Sequence, residues 1–317
     1  METRNTTSMN RNSTVDWLLF IVLGFLWGSS YLFIKIGVEA GFQPFTLVAS
    51  RLLIGGLLLA AVVMVAREAL PGNARTYAHL LVMAIFSVAL PFSLITWAEQ
   101  STDSTLAAIL NASVPLFVIL FAAAVLVDEA ITAYRVAGLV IGFVGVAILV
   151  GFDPGVVAGT DLMAALALIG SSASYAIGAV YARRFVHGLR PMIPAVMQVS
   201  FAFLISFVLA LIFESPITIP QRFDAVLSAI WLGLLGSGLA YLVFFRLLGR
   251  WGATRTSLVA YLLPVFGIAL GALVLQEPID ARLIIGTLLV IGGIALVNAR
   301  GRLVPAFGRR AAVDPEA

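Results

Sequence analysis

Ten long apolar segments constrain this chain more than any other feature of its sequence. Each approaches or exceeds the roughly 20 residues that cross a bilayer as a helix. Hydrophobic residues make up 61% of the chain and charged residues 11%, whereas a soluble domain averages about half and about a quarter. Backbone amides in hydrocarbon must bond within their own segment, so these segments are predicted to be helices. They cover residues 17–38, 44–66, 77–98, 102–127, 132–151, 161–183, 190–213, 223–248, 252–275 and 282–299.

Basic residues predict how the spans are oriented. With the N-terminus in the cytoplasm, 15 of the 19 lysines and arginines fall on the cytoplasmic side, and only Arg222 and Arg282 fall on the other. This bias favours ten spans with cytoplasmic tails at 1–16 and 300–317, in a plasma (inner) membrane. Because topology explains the basic excess, we expect no nucleic-acid partner.

A helix pair occurs twice in the sequence. In each copy an apolar helix carries an internal proline and ends at a glutamate, and a glycine follows nine residues later. These positions are Pro115, Glu129 and Gly138 in the first copy and Pro264, Glu277 and Gly286 in the second. We expect the glycines to allow close helix packing and the glutamates to brace helix turns, without binding substrate.

Two copies of five spans each must have opposite orientations, because an odd number of spans returns the chain to the other side. The sequence therefore predicts an all-α membrane protein of ten transmembrane helices in two inverted five-helix repeats, 17–151 and 152–299. Such repeats are a known basis for alternating access, with the substrate near the midplane where they meet.

The two copies differ in length by one residue. Pro115 lies 14 residues before Glu129, but Pro264 lies 13 residues before Glu277. Either Asp128 is the true equivalent of Glu277, or the fourth helix contains one extra residue.

Lys35, the only lysine, stands near the outer end of the first span. It lies about 28 Å along the helix from Asp16, at 1.5 Å per residue. Either it is a lysine whose ammonium reaches the interface, or it faces the external vestibule. There it would attract an anionic substrate group or pair with Glu39 or Glu99. Trp27 and Ser30 precede it and are candidate cavity residues.

Arg51 lies about 10 Å into the second span. A charge at this depth is costly unless it faces protein or water, so functional or structural pairing is favoured over exposure to lipid. The sequence does not indicate its partner.

Pro115 and Pro264 fall in the middle of the fourth and ninth spans. Proline removes a helical hydrogen bond and tends to kink the helix. The freed carbonyls must be bonded elsewhere or line a cavity. Asn111 and Ser113 lie beside the first break and Tyr261 beside the second. The alternative is that these helices bend only for packing.

Further polar and aromatic residues are candidates for the same cavity. They are Trp97, Ser174, Tyr175, Tyr181 and Tyr241. Each alone is typical of interhelical hydrogen bonding, and Trp97 could instead anchor the helix at the interface. Glu99 could bind a proton, but its predicted position in a loop favours simple solvation.

Several functional classes are disfavoured by the sequence. The chain has no cysteine and only two histidines, His79 and His187, so we expect no metal and no cofactor. It also has no nucleophile, phosphate-loop or zinc-protease motif, so we do not expect an enzyme.

The ordered motifs resemble the EamA-type exporters of the drug/metabolite transporter (DMT) superfamily. The resemblance covers nearly the whole chain, about 17–299. It implies a ten-helix carrier with a central cavity built from spans that include 1, 3, 4, 6, 8 and 9, and with spans 5 and 10 at the periphery. The motifs are LWGSS at 26–30, STLAAILNASVPLF at 104–117, DEAITAYRVAG at 128–138, ATRTSLVAYLLPVFG at 253–267 and QEPIDARLIIG at 276–286.

The resemblance implies a secondary transporter that exports small metabolites, above all amino acids or related amphipathic compounds. Protons are a candidate coupling ion, and the sequence makes no prediction of the oligomeric state. One alternative is a nucleotide-sugar or organophosphate exchanger of the same superfamily, which would need several cations facing the cavity. Another is a membrane subunit that does not itself transport.

Overall fold

The computed structural model describes residues 5–102, 104–125, 132–150, 162–186, 188–274 and 281–298, and the secondary structure of these residues is helical. Six segments are long and apolar enough to cross a membrane. Glu129 and Glu277 lie outside the described residues, as does the alternative that involves Asp128. The six segments are Thr14–Glu39, Pro44–Val65, Ala74–Ala98, Leu162–Phe185, Met192–Phe213 and Phe223–Gly267.

The described residues of the first half form seven α-helices. The first of them begins well inside the predicted polar tail, so that tail is partly helical. The helices are α1 Asn5–Glu39, α2 Pro44–Val65, α3 Ala74–Ala84, α4 Leu90–Ala98, α5 Ser104–Asn111, α6 Val114–Val125 and α7 Ala133–Val150.

In the second half, the part of the chain that the structure describes forms six α-helices and a short 3₁₀ turn at Leu258–Tyr261. Within α11, Gly252 has φ 81° and breaks the helical path. A positive φ of this kind suits glycine, and the position separates the predicted eighth and ninth spans. The helices are α8 Leu162–Phe185, α9 Met192–Phe213, α10 Phe223–Trp231, α11 Ala240–Ser257, α12 Leu262–Val274 and α13 Ala281–Asn298.

Two π-helical segments occupy matching places in the two halves. The segment π1, Ile85–Ala89, joins α3 to α4, and π2, Leu232–Leu239, joins α10 to α11. They fall in the predicted third and eighth spans, which are equivalent positions of a five-helix repeat. Wide helical turns of this type are frequent at functional sites.

Helices α7 and α13 meet backbone to backbone through glycines. A Cβ atom added at Gly138 would lie 2.7 Å from the carbonyl oxygen of Gly293, and one at Gly145 would lie 2.8 Å from that of Gly286. No larger residue fits at such a distance without displacing a backbone, so the glycines permit the contact.

The start of α2 is held by a residue from the other half. Glu214, just after α9, accepts hydrogen bonds from the backbone N–H groups of Phe45 at 2.7 Å and Thr46 at 2.8 Å, and from the Thr46 hydroxyl at 2.7 Å. The carboxylate thereby satisfies N–H groups that a helix leaves unpaired at its N-terminus.

Candidate functional site

A cavity is enclosed by helices of both halves. The volume of the cavity is about 90 Å³, which is enough for several water molecules. Six aromatic side chains line it with four polar side chains and one cation. The aromatic residues are Trp27, Tyr31, Phe92, Tyr175, Tyr241 and Phe244, and the others are Ser30, Arg51, Ser87, Asn111 and Ser257.

Arg51 is the cation on this wall, and only 2% of its surface is exposed. Its Nε donates a hydrogen bond to Ser237 Oγ at 3.1 Å, and its guanidinium carbon lies 4.2 Å from the centre of the Phe92 ring. Among the described carboxylates, none lies within ion-pair distance of it. The helix places a buried guanidinium at the cavity without a neutralising partner, an arrangement suited to binding an anion.

The π segments bind side chains from the opposite half. In π1, the carbonyl of Ser87 accepts a hydrogen bond from the Tyr241 hydroxyl at 3.2 Å, and that of Phe86 accepts one from Ser174 Oγ at 2.7 Å. In π2, the carbonyl of Gly236 accepts one from Trp27 Nε1 at 3.1 Å. The wider turn leaves carbonyls available for such partners, and so the two halves are bonded together at the cavity wall.

The first helix break contributes a polar group to the cavity. Helix α5 ends at Asn111, and Pro115 lies in the first turn of α6, where its missing N–H costs little. Asn111 is 1% exposed, and its Oδ1 accepts hydrogen bonds from Ser171 at 3.1 Å and Ser172 at 3.4 Å. The amide is therefore fixed in orientation by α8.

The second break directs its aromatic side chain away from the cavity. The 3₁₀ turn Leu258–Tyr261 leads into α12, where Pro264 is the third residue. The hydroxyl of Tyr261 donates a hydrogen bond to the carbonyl of Leu139 at 2.8 Å, and its ring packs on Gly142. Tyr261 therefore packs against α7.

Trp27 lies where the three apolar clusters of the protein meet and contacts all of them. Its ring centre lies 5.8 Å from that of Tyr241 and 5.4 Å from that of Phe244. The aromatic wall is thus continuous with the packed core, which limits its freedom to rearrange.

Six of the fourteen predicted cavity residues line this cavity and eight lie elsewhere. Trp97 is 43% exposed, and the hydroxyl of Tyr181 lies 2.6 Å from His79 Nδ1, so neither of these side chains lines the cavity. The residues that line the wall are Trp27, Ser30, Arg51, Asn111, Tyr175 and Tyr241, and those elsewhere are Lys35, Trp97, Ser113, Pro115, Ser174, Tyr181, Tyr261 and Pro264.

The remaining misplaced residues have local roles. Ser113 Oγ donates a hydrogen bond to the carbonyl of Leu110 at 2.6 Å, and Ser174 Oγ donates one to the carbonyl of Phe86 in π1. Pro115 and Pro264 are buried at the two breaks. The prolines thus shape the wall through the backbone, and their side chains do not line it.

Lys35 lies beyond the cavity, at the opposite end of α1 from Asp16. Its Nζ donates hydrogen bonds to the carbonyls of Glu99 and Thr102, both at 3.1 Å, and lies 3.7 Å from Glu39 Oε1. It therefore ties α1 to the end of α4 and makes no contact with the cavity wall.

The expectation that Glu99 is solvated is wrong, because its surface is 0% exposed. Neither carboxyl oxygen has a described hydrogen-bond partner. Glu99 follows the last residue of the segment Ala74–Ala98, and burial raises the pKa of its carboxyl against the opposing effects of Lys35 and Arg51. A chain position next to a loop was a poor guide to its solvation.

Several wall residues were missed from the sequence, among them Tyr31, Ser87 and Phe92. A signal existed for Tyr31, because positions 27, 30, 31 and 34 share one face of a helix. The predicted residues Trp27 and Ser30 already marked that face. Phe92 carries no comparable signal, because a phenylalanine in an apolar span is equally typical of core packing.

The sequence of this chain matches a known family of membrane proteins. The EamA-like transporter family model matches residues 16–151 and 162–299. The uncharacterized transporter YoaV of Bacillus subtilis is 26% identical over 277 residues, 85% of this chain and 91% of that protein. An uncharacterized transporter of Archaeoglobus fulgidus is 28% identical over 298 residues, covering 91% of this chain and 99% of its own.

Two further similarities concern location and fold. The uncharacterized inner membrane transporter YedA of Escherichia coli is 29% identical over 247 residues, 78% of each chain. A crystal structure of another protein superposes on 90% of this chain and 96% of its own, with a TM-score of 0.70 and 21% identity. The latter is a likeness of fold alone.

Proposed function

Because this chain belongs to the EamA-like transporter family and is a multi-pass membrane transporter, we propose that it exports small amphipathic metabolites that carry a carboxylate, above all amino acids. The family match confirms the resemblance seen in the sequence. The substrate class rests on one observation, the buried guanidinium of Arg51 on an aromatic wall, which forms no ion pair with a carboxylate in the described part of the chain.

Arg51 has the properties of a carboxylate-binding residue. A guanidinium presents a planar fork of donors that matches a carboxylate, and hydrogen bonds between charged groups are about twice as strong as neutral ones. Its Nε is already bonded to Ser237, while Ser30 and Asn111 on the same wall can bond other polar groups of the ligand. The six rings suit an apolar or aromatic side chain.

Alternating access between inverted repeats is part of the proposal. It includes the ten spans, the cytoplasmic termini predicted by the arginine bias, and a plasma (inner) membrane location, as the name of the Escherichia coli relative suggests. The reciprocal bonds at π1 and π2 support it, because in each half a π-helical carbonyl accepts a hydrogen bond from a cavity-wall side chain of the other half.

An exchanger of nucleotide sugars or organophosphates fits this cavity less well. Arg51 is the one cationic side chain among the described residues that line it, and Lys35 is directed elsewhere. A dianionic phosphate is usually held by several cations or helix N-termini.

The proposal is tested with full-length protein in liposomes loaded with an equimolar mixture of isotope-labelled amino acids. We expect a subset with apolar or aromatic side chains to leave the vesicles. Arg51→Met should weaken apparent affinity by roughly tenfold or more, since a hydrogen bond to a charged group is worth about 1.5–3 kcal/mol. Arg51→Lys should give an intermediate loss, because the charge remains and the fork does not.

Arg222→Gln is the matched control, because it removes an arginine whose side chain is 66% exposed, far from the cavity wall. It should leave efflux unchanged. Efflux of organophosphates in place of amino acids would favour the exchanger, and no efflux of either would favour a subunit that does not transport. Unchanged affinity in Arg51→Met would refute the assignment of Arg51.

A further inference from the structure

Four buried polar atoms, in the last turn of α4 and the residues just after it, have no hydrogen-bond partner among the described residues. They are Thr96 Oγ1, both carboxyl oxygens of Glu99 and Thr102 Oγ1. An ionised carboxylate without a partner is among the most costly groups to bury, whereas the protonated carboxyl is much less so. A structural role such as helix capping would have provided donors to these oxygens, and none is present among the described residues.

Lys35 lies next to this group without neutralising it by direct contact. Its ammonium donates to the backbone carbonyls of Glu99 and Thr102, not to the Glu99 carboxyl. A metal cation bound by the same oxygens would be repelled by this ammonium. A proton avoids that repulsion because it is taken into the carboxyl and leaves it neutral.

Charged and titratable groups from three helices act on Glu99 or on its neighbours. Helix α1 contributes Tyr31 and Lys35, with Glu39 beside Lys35, and α2 contributes Arg51. Among the described residues of α8, Tyr175 acts on Tyr31 and Arg51. Tyr31 and Arg51 also line the cavity. Ile95, one helical turn before Glu99, lines the same wall. The Glu99 carboxyl therefore lies close behind the substrate site, although its side chain is not part of the wall.

We propose that Glu99 is the proton-binding residue of the transport cycle and that its protonation strengthens anion binding at Arg51. This coupling rests on the function proposed above. A negative charge on Glu99 partly offsets the positive charge of Arg51, and a proton on Glu99 removes that offset. By linkage, an anionic group at Arg51 must in turn favour the protonated carboxyl.

The path of a proton from solvent to the Glu99 carboxyl is short. Gln100 and Ser101, the next two residues, are exposed, so a small displacement of the end of α4 would open Glu99 to water. The carboxylate takes one proton from solvent and returns the same proton to solvent, and no other reactant is required. Because proton and carboxylate bind together, they move in the same direction, and efflux runs down the gradient of the substrate.

The first test needs no substrate. Infrared difference spectra of the purified full-length protein are recorded between alkaline and acidic pH, and the carboxylic-acid band is compared among variants. We expect Glu99→Gln to remove a titrating component of that band. Glu39→Gln, which removes an exposed carboxylate 3.7 Å from the same lysine, should not remove it. Identical difference spectra for wild type and Glu99→Gln would overturn the proton site.

The second test measures coupling in liposomes with the labelled amino-acid mixture, by exchange at equal pH on both sides. Lowering the pH should raise the apparent affinity of the wild type by about fivefold or more. Glu99→Gln should continue to exchange, with an affinity that no longer depends on pH. Lys35→Met should move the midpoint of the pH dependence upward, because a nearby positive charge favours the ionised carboxyl.

The outcomes separate the two proposals. A pH dependence that persists in Glu99→Gln, or a midpoint that Lys35→Met leaves unchanged, would overturn the coupling. If the wild type moves no amino acid while the infrared component still vanishes in Glu99→Gln, the proposed substrate class fails and the proton site stands.

Discussion

The two helix breaks resemble each other in backbone and differ in what their side chains do. Both lie in the predicted fourth or ninth span, and both have a proline just inside the following helix. At the first, Asn111 lines the cavity and is bonded to two serines of α8. At the second, Tyr261 is fully buried against α7, and its hydroxyl is bonded to Leu139.

The same backbone irregularity can therefore occur in both halves of a repeat while the side chains beside it do different things, lining a cavity in one half and packing between helices in the other. The first break has serines within reach, so a polar side chain there is held in place beside the cavity. The second has Gly142 beside it, and the space left by the absent side chain accommodates the Tyr261 ring. One break thus contributes a polar side chain to the cavity wall, and the other contributes to packing. Three predictions test this contrast.

The largest effect is expected for Gly142→Leu, which attacks the packing role. A Cβ atom at this position would lie 2.7 Å from Tyr261 Cδ2, and overpacking of this kind costs about 1–3 kcal/mol or more. We expect a marked fall in the thermal midpoint of the detergent-solubilised protein. Gly292→Leu on α13, where an added Cβ meets nothing within 4 Å, is the control. Equal midpoints for the two variants would show that Tyr261 is not confined as described.

Asn111→Leu tests the substrate role and should have the next largest effect. Ser171 and Ser172 also bond to the carbonyl of Leu168, at 2.7 and 3.2 Å, so the variant leaves neither hydroxyl without a partner and should fold. Efflux should fall by roughly tenfold if one cavity hydrogen bond of about 1–1.5 kcal/mol is lost.

The control for Asn111→Leu is Gln198→Leu. It removes another fully buried amide, one that does not line the cavity and has no described partner. It should keep wild-type efflux. A similar loss of efflux in both variants would mean that burial of a polar group, and not its place at the first break, is what matters.

Tyr261→Phe should have the smallest effect. It removes the hydrogen bond to Leu139 and leaves the ring on Gly142, so it should cost about 1 kcal/mol of stability. Efflux per folded molecule should not change. A substrate-dependent loss of efflux would instead give the second break a direct role at the cavity, and the contrast between the breaks would disappear.

The site residues that could be predicted from the sequence are those marked by a local property of the chain. Arg51 was located because a charge inside an apolar span is costly and must face something polar. The two breaks followed from proline chemistry, and Trp27 and Ser30 from a polar patch on one helical face. Those arguments use charge, proline chemistry and helical spacing, which can be read from a single segment of the sequence.

The errors came from properties that depend on distant neighbours. Tyr181 was grouped with the cavity by residue type, although His79 and Phe185 surround it. Glu99 is next to a loop in the chain but is enclosed through contacts with α1, more than 60 residues away. The direction of the Tyr261 side chain could not be predicted without knowing that Gly142 packs beside it. Burial and partnership of this kind are set by tertiary packing, which no single segment specifies.

The glycine contact between α7 and α13 has a consequence for how such a chain can arise and be divided. Gly138 meets Gly293, and Gly145 meets Gly286. In the repeat, 138 corresponds to 286 and 145 to 293, so each contact is the mirror of the other. That is the self-complementary pattern of an isologous dimer, in which one patch binds a second copy of itself. The crossing therefore has the form of an interface between two half-length subunits.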